Sequence, residues 1–185
     1  MSAVFWYRLL FRLHLHEADS MAFQNLVNSV FQGGTDDFQA IAPWGNLGDG
    51  GNDGYIQSAG HYLQVYGPKA GSSWSPAVAA KKAKDDFAKL QIDWKNIQRY
   101  SFVLNDRFQG VPKPVEQSLQ SICETHGVAS DAIACAQLTD RFTKLSEYKM
   151  MEIVGGVPGD QPIFIDKRKV GELLISARLG SYWST

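Results

Sequence analysis

The chain has 185 residues, 44% hydrophobic and 12% aromatic, with a formal net charge of −1. This length and apolar share suit one α/β domain with a sizeable core, and the charge balance excludes a whole-chain pull on nucleic acid while allowing a local basic face. Cys123 and Cys135 lack partners at metal-ligand spacing and read as reduced thiols, and no run approaches the ~20 apolar residues of a membrane span, so a cytoplasmic protein without a membrane partner is expected.

Val4, Phe5, Leu9, Leu10 and Leu13 recur at helical spacing, and Arg8 and Arg12 break the run that a secretory signal would need. Asp19 or Ser20 caps a second helix, Met21 to Phe31, ended by Gly33-Gly34. Phe38 to Ile41 alternates as a short strand. Gly54 to Gln57 and His61 to Tyr66 read as a hairpin joined through Ser58-Ala59-Gly60. Pro68 to Pro76 is a loop, after which Ser75 caps a long helix with proline in its first turn. Tyr100 to Leu104 is an apolar strand, Val115 to His126 a helix stopped by Gly127, Ala132 to Gln137 a small strand and Leu138 to Leu145 a helix. Gly155 to Pro162 is a loop, and Val170 to Leu179 a last amphipathic helix. Strand–helix alternation after residue 75 argues for a mixed sheet flanked by helices.

Chemistry concentrates between residues 45 and 69. Gly45-Asn46-Leu47-Gly48-Asp49-Gly50-Gly51-Asn52-Asp53-Gly54 is a glycine-dense turn carrying two aspartates, and Tyr62-Leu63-Gln64-Val65-Tyr66 places an amide inside an apolar strand. Asp53 and Gln64 can approach across the hairpin, with Asp49 nearby, as hard oxygen donors for Mg²⁺ or Mn²⁺. The alternative is a structural turn whose Asp and Asn side chains bond their own backbone. An EF-hand is excluded because its last ligand would fall on Gly60, and a P-loop because no Gly-Lys-Ser/Thr follows.

The Gly48-Asp49-Gly50-Gly51-Asn52-Asp53-Gly54 turn and the Tyr62-Leu63-Gln64-Val65-Tyr66 strand, over about residues 20–105, resemble the PD-(D/E)xK nuclease superfamily. The Mrr-type branch is most similar, and within it a Gln-Val-Tyr-x-Pro group associated with ABC-three-component and other anti-phage conflict systems. The resemblance implies a restriction endonuclease-like α/β core within a single domain 1–185: N-terminal helices 1–32, motif core 36–105 and an α/β continuation 106–185. Asp53 and Gln64 would hold Mg²⁺ (or Mn²⁺), Asp49 would shape the turn, and Tyr66 and Lys69 would face the phosphate. The chain departs from the pattern at Tyr66, where a lysine is usual, and at Gln24, where a helix glutamate is frequent. A tyrosine is uncharged at neutral pH, so Lys69, Lys81 or Lys82 would have to supply the cation. Glu17 could replace the lost carboxylate only if the first two helices formed one rod.

The resemblance thus implies a metal-dependent nuclease or a nuclease-derived DNA-binding domain, with DNA ahead of RNA. It also implies a homodimer or association with other defence-system components. The rival expectation is a catalytically inactive interaction or oligomerisation module on the same fold. His14 and His16 point to different faces of a helix and do not chelate. Lys81, Lys84 and Lys89, with Trp74, offer a nucleic-acid face or a solvated mixed-charge helix. Trp44, Trp94 and Trp183 read as packing residues.

Overall fold

The computed structural model describes residues 3–42, 50–69 and 75–155. Their elements run α1 (Ala3–Glu17), α2 (Ser20–Gly34), β1 (Phe38–Ala40), β2 (Gly54–Ile56), β3 (His61–Tyr66), α3 (Pro76–Asp93), β4 (Arg99–Leu104), α4 (Lys113–His126), β5 (Ala129–Ile133), α5 (Cys135–Phe142) and α6 (Glu147–Val154). The strands form one five-stranded sheet in chain order. β1, β2 and β3 are antiparallel neighbours, whereas β3, β4 and β5 are parallel. Parallel neighbours need a crossover, and α3 and α4 supply them.

Strand alternation divides the apolar side chains between two cores. Leu63, Val65, Val103 and Ile133 face α1, α2, α5 and α6. Tyr62, Tyr100, Phe102 and Leu104 face α3 and α4. β4 lies between β3 and β5 and reads as a near-continuous apolar run because both its faces are covered. The expected mixed sheet flanked by helices is therefore present.

Several boundaries differ from the sequence reading. Gly33 and Gly34 are the last residues of α2, and Thr35 is its extended cap. A Cβ on Gly33 or Gly34 would lie 3.3 or 3.2 Å from the Leu145 side chain, a tight contact. The strand expected over Ala132 to Gln137 ends at Ile133, and Cys135 already opens α5. Capping explains the shift: Cys135 N–H donates to Asp106 Oδ1 at 2.9 Å, and Gln137 Oε1 accepts from Ala134 N–H at 3.2 Å. α6, which the sequence reading lacked, is capped by Ser146, whose hydroxyl accepts from Lys149 N–H. α1 and α2 are separate helices, with Asp19 extended between them, so Glu17 does not continue towards Gln24. The expected helix over Val170 to Leu179 lies outside the described residues, as do Asp49, Trp44, Trp74 and Trp183.

Candidate functional site

The expected hairpin between β2 and β3 forms, with Gly54 opposite Leu63 and Ile56 opposite His61. The ladder then gives way to Asp53. Its backbone N–H donates to Leu63 O at 2.9 Å, and its Oδ2 accepts from Val65 N–H at 2.7 Å. The side chain thus replaces the strand residue that would have satisfied β3 beyond the end of β2. Its other oxygen, Oδ1, accepts from Gln24 Nε2 at 2.8 Å, across 29 positions of sequence. The aspartate of the turn, the amide of the second helix and the edge of β3 therefore meet.

Two close approaches make this meeting available. A Cβ on Gly67 would lie 2.9 Å from both Ser20 N and Phe23 Cβ, and Ser20 N–H donates to Gly67 O at 2.8 Å. The bare backbone after β3 thus lets the first turn of α2 settle onto the strand end, and Gln24 follows one turn later. On the other face, Gly51 has φ +75°, and a Cβ there would lie 2.2 Å from the carbonyl oxygen of Asp86 in α3. The turn can rest on α3 only as glycine.

Gln64 is buried on β3, 3% exposed. By alternation it shares a face with Tyr62 and Tyr66, towards α3 and α4. Its Oε1 has no hydrogen-bond partner, and neither does buried Asn52 Nδ2, whereas Asn52 Oδ1 accepts from Gly54 N–H. Tyr66 is half-buried and stacks on Phe102 with ring centroids 5.9 Å apart. Lys69 is exposed just beyond buried Pro68. Burial, then the charges of Asp86 and Asp53, pushes the Tyr100 phenol well above its ordinary pKa. Its hydroxyl donates to Ala83 O at 3.1 Å.

Three of the four lysines of α3 are paired, and Lys84 stands exposed among them. Lys81 reaches Asp85, and Lys82 and Lys89 both reach Asp86, which is 3% exposed. This is the mixed-charge helix rather than an open basic face, and Lys82 is held by Asp86 instead of turning to Asp53 as a substitute cation. Trp94 packs among Tyr55 and Tyr62, as expected of a core aromatic. His14 and His16 fall in the last turn of α1. Among the described residues no group of three or more His, Cys, Asp or Glu side chains is arranged to hold a metal ion.

Two polar networks escaped the sequence reading. Asn105 and Asp106 follow β4 and are 1% and 5% exposed. Asn105 Nδ2 donates to Leu15 O and Ala18 O, at 2.9 and 2.7 Å. Its Oδ1 accepts from Arg107 N–H and from the Cys135 thiol, each at 3.1 Å. Burial, then neighbouring Asp106, pushes that thiol's pKa up to about 12. At the opposite end of the strands, His61 Nε2 lies 2.7 Å from Ser101 Oγ, which donates to Asp131 Oδ1. Arg99 completes the chain on Asp131 Oδ2 at 2.6 Å. A cleft of about 420 Å³ between α2 and α5, lined by Thr35, Asp140, Arg141 and Lys144 among others, includes none of the motif residues.

Among the described residues no helix is long and apolar enough to cross a membrane. The chain matches no protein-family model, no curated protein and no solved structure.

Proposed function

We propose that the chain is a nuclease-derived DNA-binding domain, with a restriction endonuclease-like core, from a bacterial or phage conflict system. One observation carries this reading: Gln24 bonds Asp53 at 2.8 Å beside the edge of β3. Two positions that the resemblance singles out separately in sequence, Gln24 and Asp53, thus meet beside the strand that carries Gln64. The order helix, three antiparallel strands, helix and parallel strand accords with such a core.

The resemblance also implies Mg²⁺ or Mn²⁺, but the donors on the described residues do not fit such an ion. They offer one carboxylate, Asp53, and both its oxygens already accept from N–H donors. Where a second carboxylate is wanted, Gln24 aims an amide N–H. A hard divalent ion needs several oxygen ligands, and among the described motif residues the Gln64 amide oxygen is the one buried side-chain oxygen without a hydrogen-bond partner. The favoured activity is therefore binding without cutting. Lys69, at the exit of β3, meets the phosphate backbone, and Tyr66 lines the approach.

The test is fluorescence anisotropy with labelled duplex and single-stranded DNA over a range of salt, beside cleavage assays with Mg²⁺ and Mn²⁺. Binding that weakens steeply with salt, without cleavage, is expected. No binding at any salt overturns the reading. Metal-dependent cleavage that Asp53→Asn abolishes reinstates the enzyme.

A second reading, an interaction module that self-associates, has its own observation. α1 turns Phe5, Trp6, Leu9 and Leu13 outwards, 39 to 50% exposed, while its other side is core. Large apolar side chains clustered on an exposed helix face mark a contact surface. A dimer by light scattering that Leu9→Glu dissociates, with no affinity for DNA, would favour this reading.

A further inference from the structure

The loop from β4 to α4 holds two consecutive non-glycine residues in left-handed backbone, Arg107 at φ +48° and Phe108 at φ +62°. Each such residue costs about 1–2 kcal/mol, so the surroundings must enforce the conformation. They do so from several sides. Asn105 Oδ1 accepts from Arg107 N–H, and Asp106 Oδ2 accepts from Gly110 N–H at 2.7 Å. Gln109 N–H donates to Asp106 O, and Asn105 N–H to Tyr66 O. The acidic member of the loop, Asp106, is turned inward, and its other oxygen is taken by Cys135 N–H.

The outcome is an arrangement of cations. Arg107 Nη2 donates to Pro68 O at 3.2 Å, which sets its guanidinium beside the residue preceding Lys69. The guanidinium carbon of Arg12, from α1, lies 4.0 Å from the centre of the Phe108 ring. Both arginines are half-buried, so each is positioned rather than waving in solvent. All of this stands at the end of β3 and β4 where Gly67 meets α2. Asp53, on the far edge of β3, is about 10 Å from the β4 side by two strand spacings.

We propose that this loop is a phosphate clasp: Arg107 takes a backbone phosphate of bound nucleic acid, a few nucleotides from the one nearest Asp53, with Arg12 and Lys69 on the segments that adjoin the loop. A guanidinium is suited to the task because one N–H can remain on Pro68 O while others fork onto phosphate oxygens. The inference rests on the DNA-binding reading above.

The experiment is anisotropy titration of labelled duplex DNA with wild type, Arg107→Gln and Arg107→Lys, at low and moderate salt. Glutamine keeps an N–H for Pro68 O and removes the charge; lysine keeps the charge and removes the fork. Losing one phosphate contact lowers the slope of log K against log salt by about 0.9, so R107Q loses about 3.5-fold more affinity at 50 mM than at 200 mM salt. R107K retains the wild-type slope. Equal slopes for wild type and R107Q overturn the clasp and leave the DNA-binding reading standing. A reduced slope for R107K equal to that of R107Q also overturns it, because the loss is then structural. A wild type that fails to bind DNA removes both.

Discussion

Asn105→Ala should be the most damaging single-residue truncation of a polar side chain in this domain. The asparagine holds the α1–α2 corner through Leu15 O and Ala18 O, the left-handed loop through Arg107 N–H, and α5 through the Cys135 thiol. Alanine leaves two carbonyls and one N–H without partners. At about 1 kcal/mol for each lost bond to a buried group, the cost is about 3 kcal/mol, a large share of a marginal total. Urea unfolding followed by circular dichroism reads this directly. With a slope of about 2 kcal/mol per molar, the midpoint falls by about 1.5 M. Asn105→Asp should be worse still, because it aims a carboxylate at two carbonyl oxygens while keeping the acceptor for Arg107. A midpoint shift below about 0.5 M in N105A, or an N105D protein more stable than N105A, would refute the clamp.

Gly51→Ala should cost about 3 kcal/mol or more, combining left-handed strain with collision on the Asp86 carbonyl, whereas Gly127→Ala, at φ +69° with nothing within 4 Å, should cost only about 1; matched urea midpoints would contradict this. Burial, reinforced by Arg99 and Arg141 and opposed by Asp131, holds His61 at a pKa of about 4, against 6.5 for the unfolded chain. The unfolded state therefore binds the extra proton between those values. The stability this represents is full above pH 6.5 and lost as pH falls towards 4, about 2 kcal/mol after allowing for residual solvent screening. His61→Gln should flatten unfolding midpoints across that window. Burial raises the Asp131 carboxyl, but hydrogen bonds from Arg99 and Ser101 outweigh it and hold its pKa below the usual value, so its contribution disappears only at lower pH. With maleimide, the native protein should label once, at exposed Cys123, and buried Cys135 should react only after unfolding; two fast equivalents would show that α5 is not closed over β4.

Periodicity carried most of the architecture. Phe23, Val27 and Val30 lie one helical turn apart, and the alternation of β3 places Leu63 and Val65 against one core and Tyr62 against the other. It failed between 132 and 145, because the start of α5 is fixed by Asp106, a side chain 29 positions earlier. α6 was hidden by its brevity and mixed composition. At the site, glycine density flagged a close approach but could not reveal that α3 is what the turn touches. The resemblance marked Gln24 as a departure but not its meeting with Asp53, since no local pattern links a helix amide to a distant turn. The α3 lysines looked like a basic face because spacing alone does not show which aspartates claim them.

The order of the chain from His61 through Ser101 to Asp131 settles a different question. A carboxylate can only accept, so the one hydroxyl hydrogen of Ser101 goes to Asp131, and His61 must carry its own hydrogen on Nε2 to reach the same oxygen. The imidazole is thus a donor towards the serine and cannot take a proton from it. These three residue types, placed with histidine in the middle, would make an acylating enzyme; with serine in the middle they make a cross-brace over β3, β4 and β5. An activity-based fluorophosphonate should leave Ser101 unmodified.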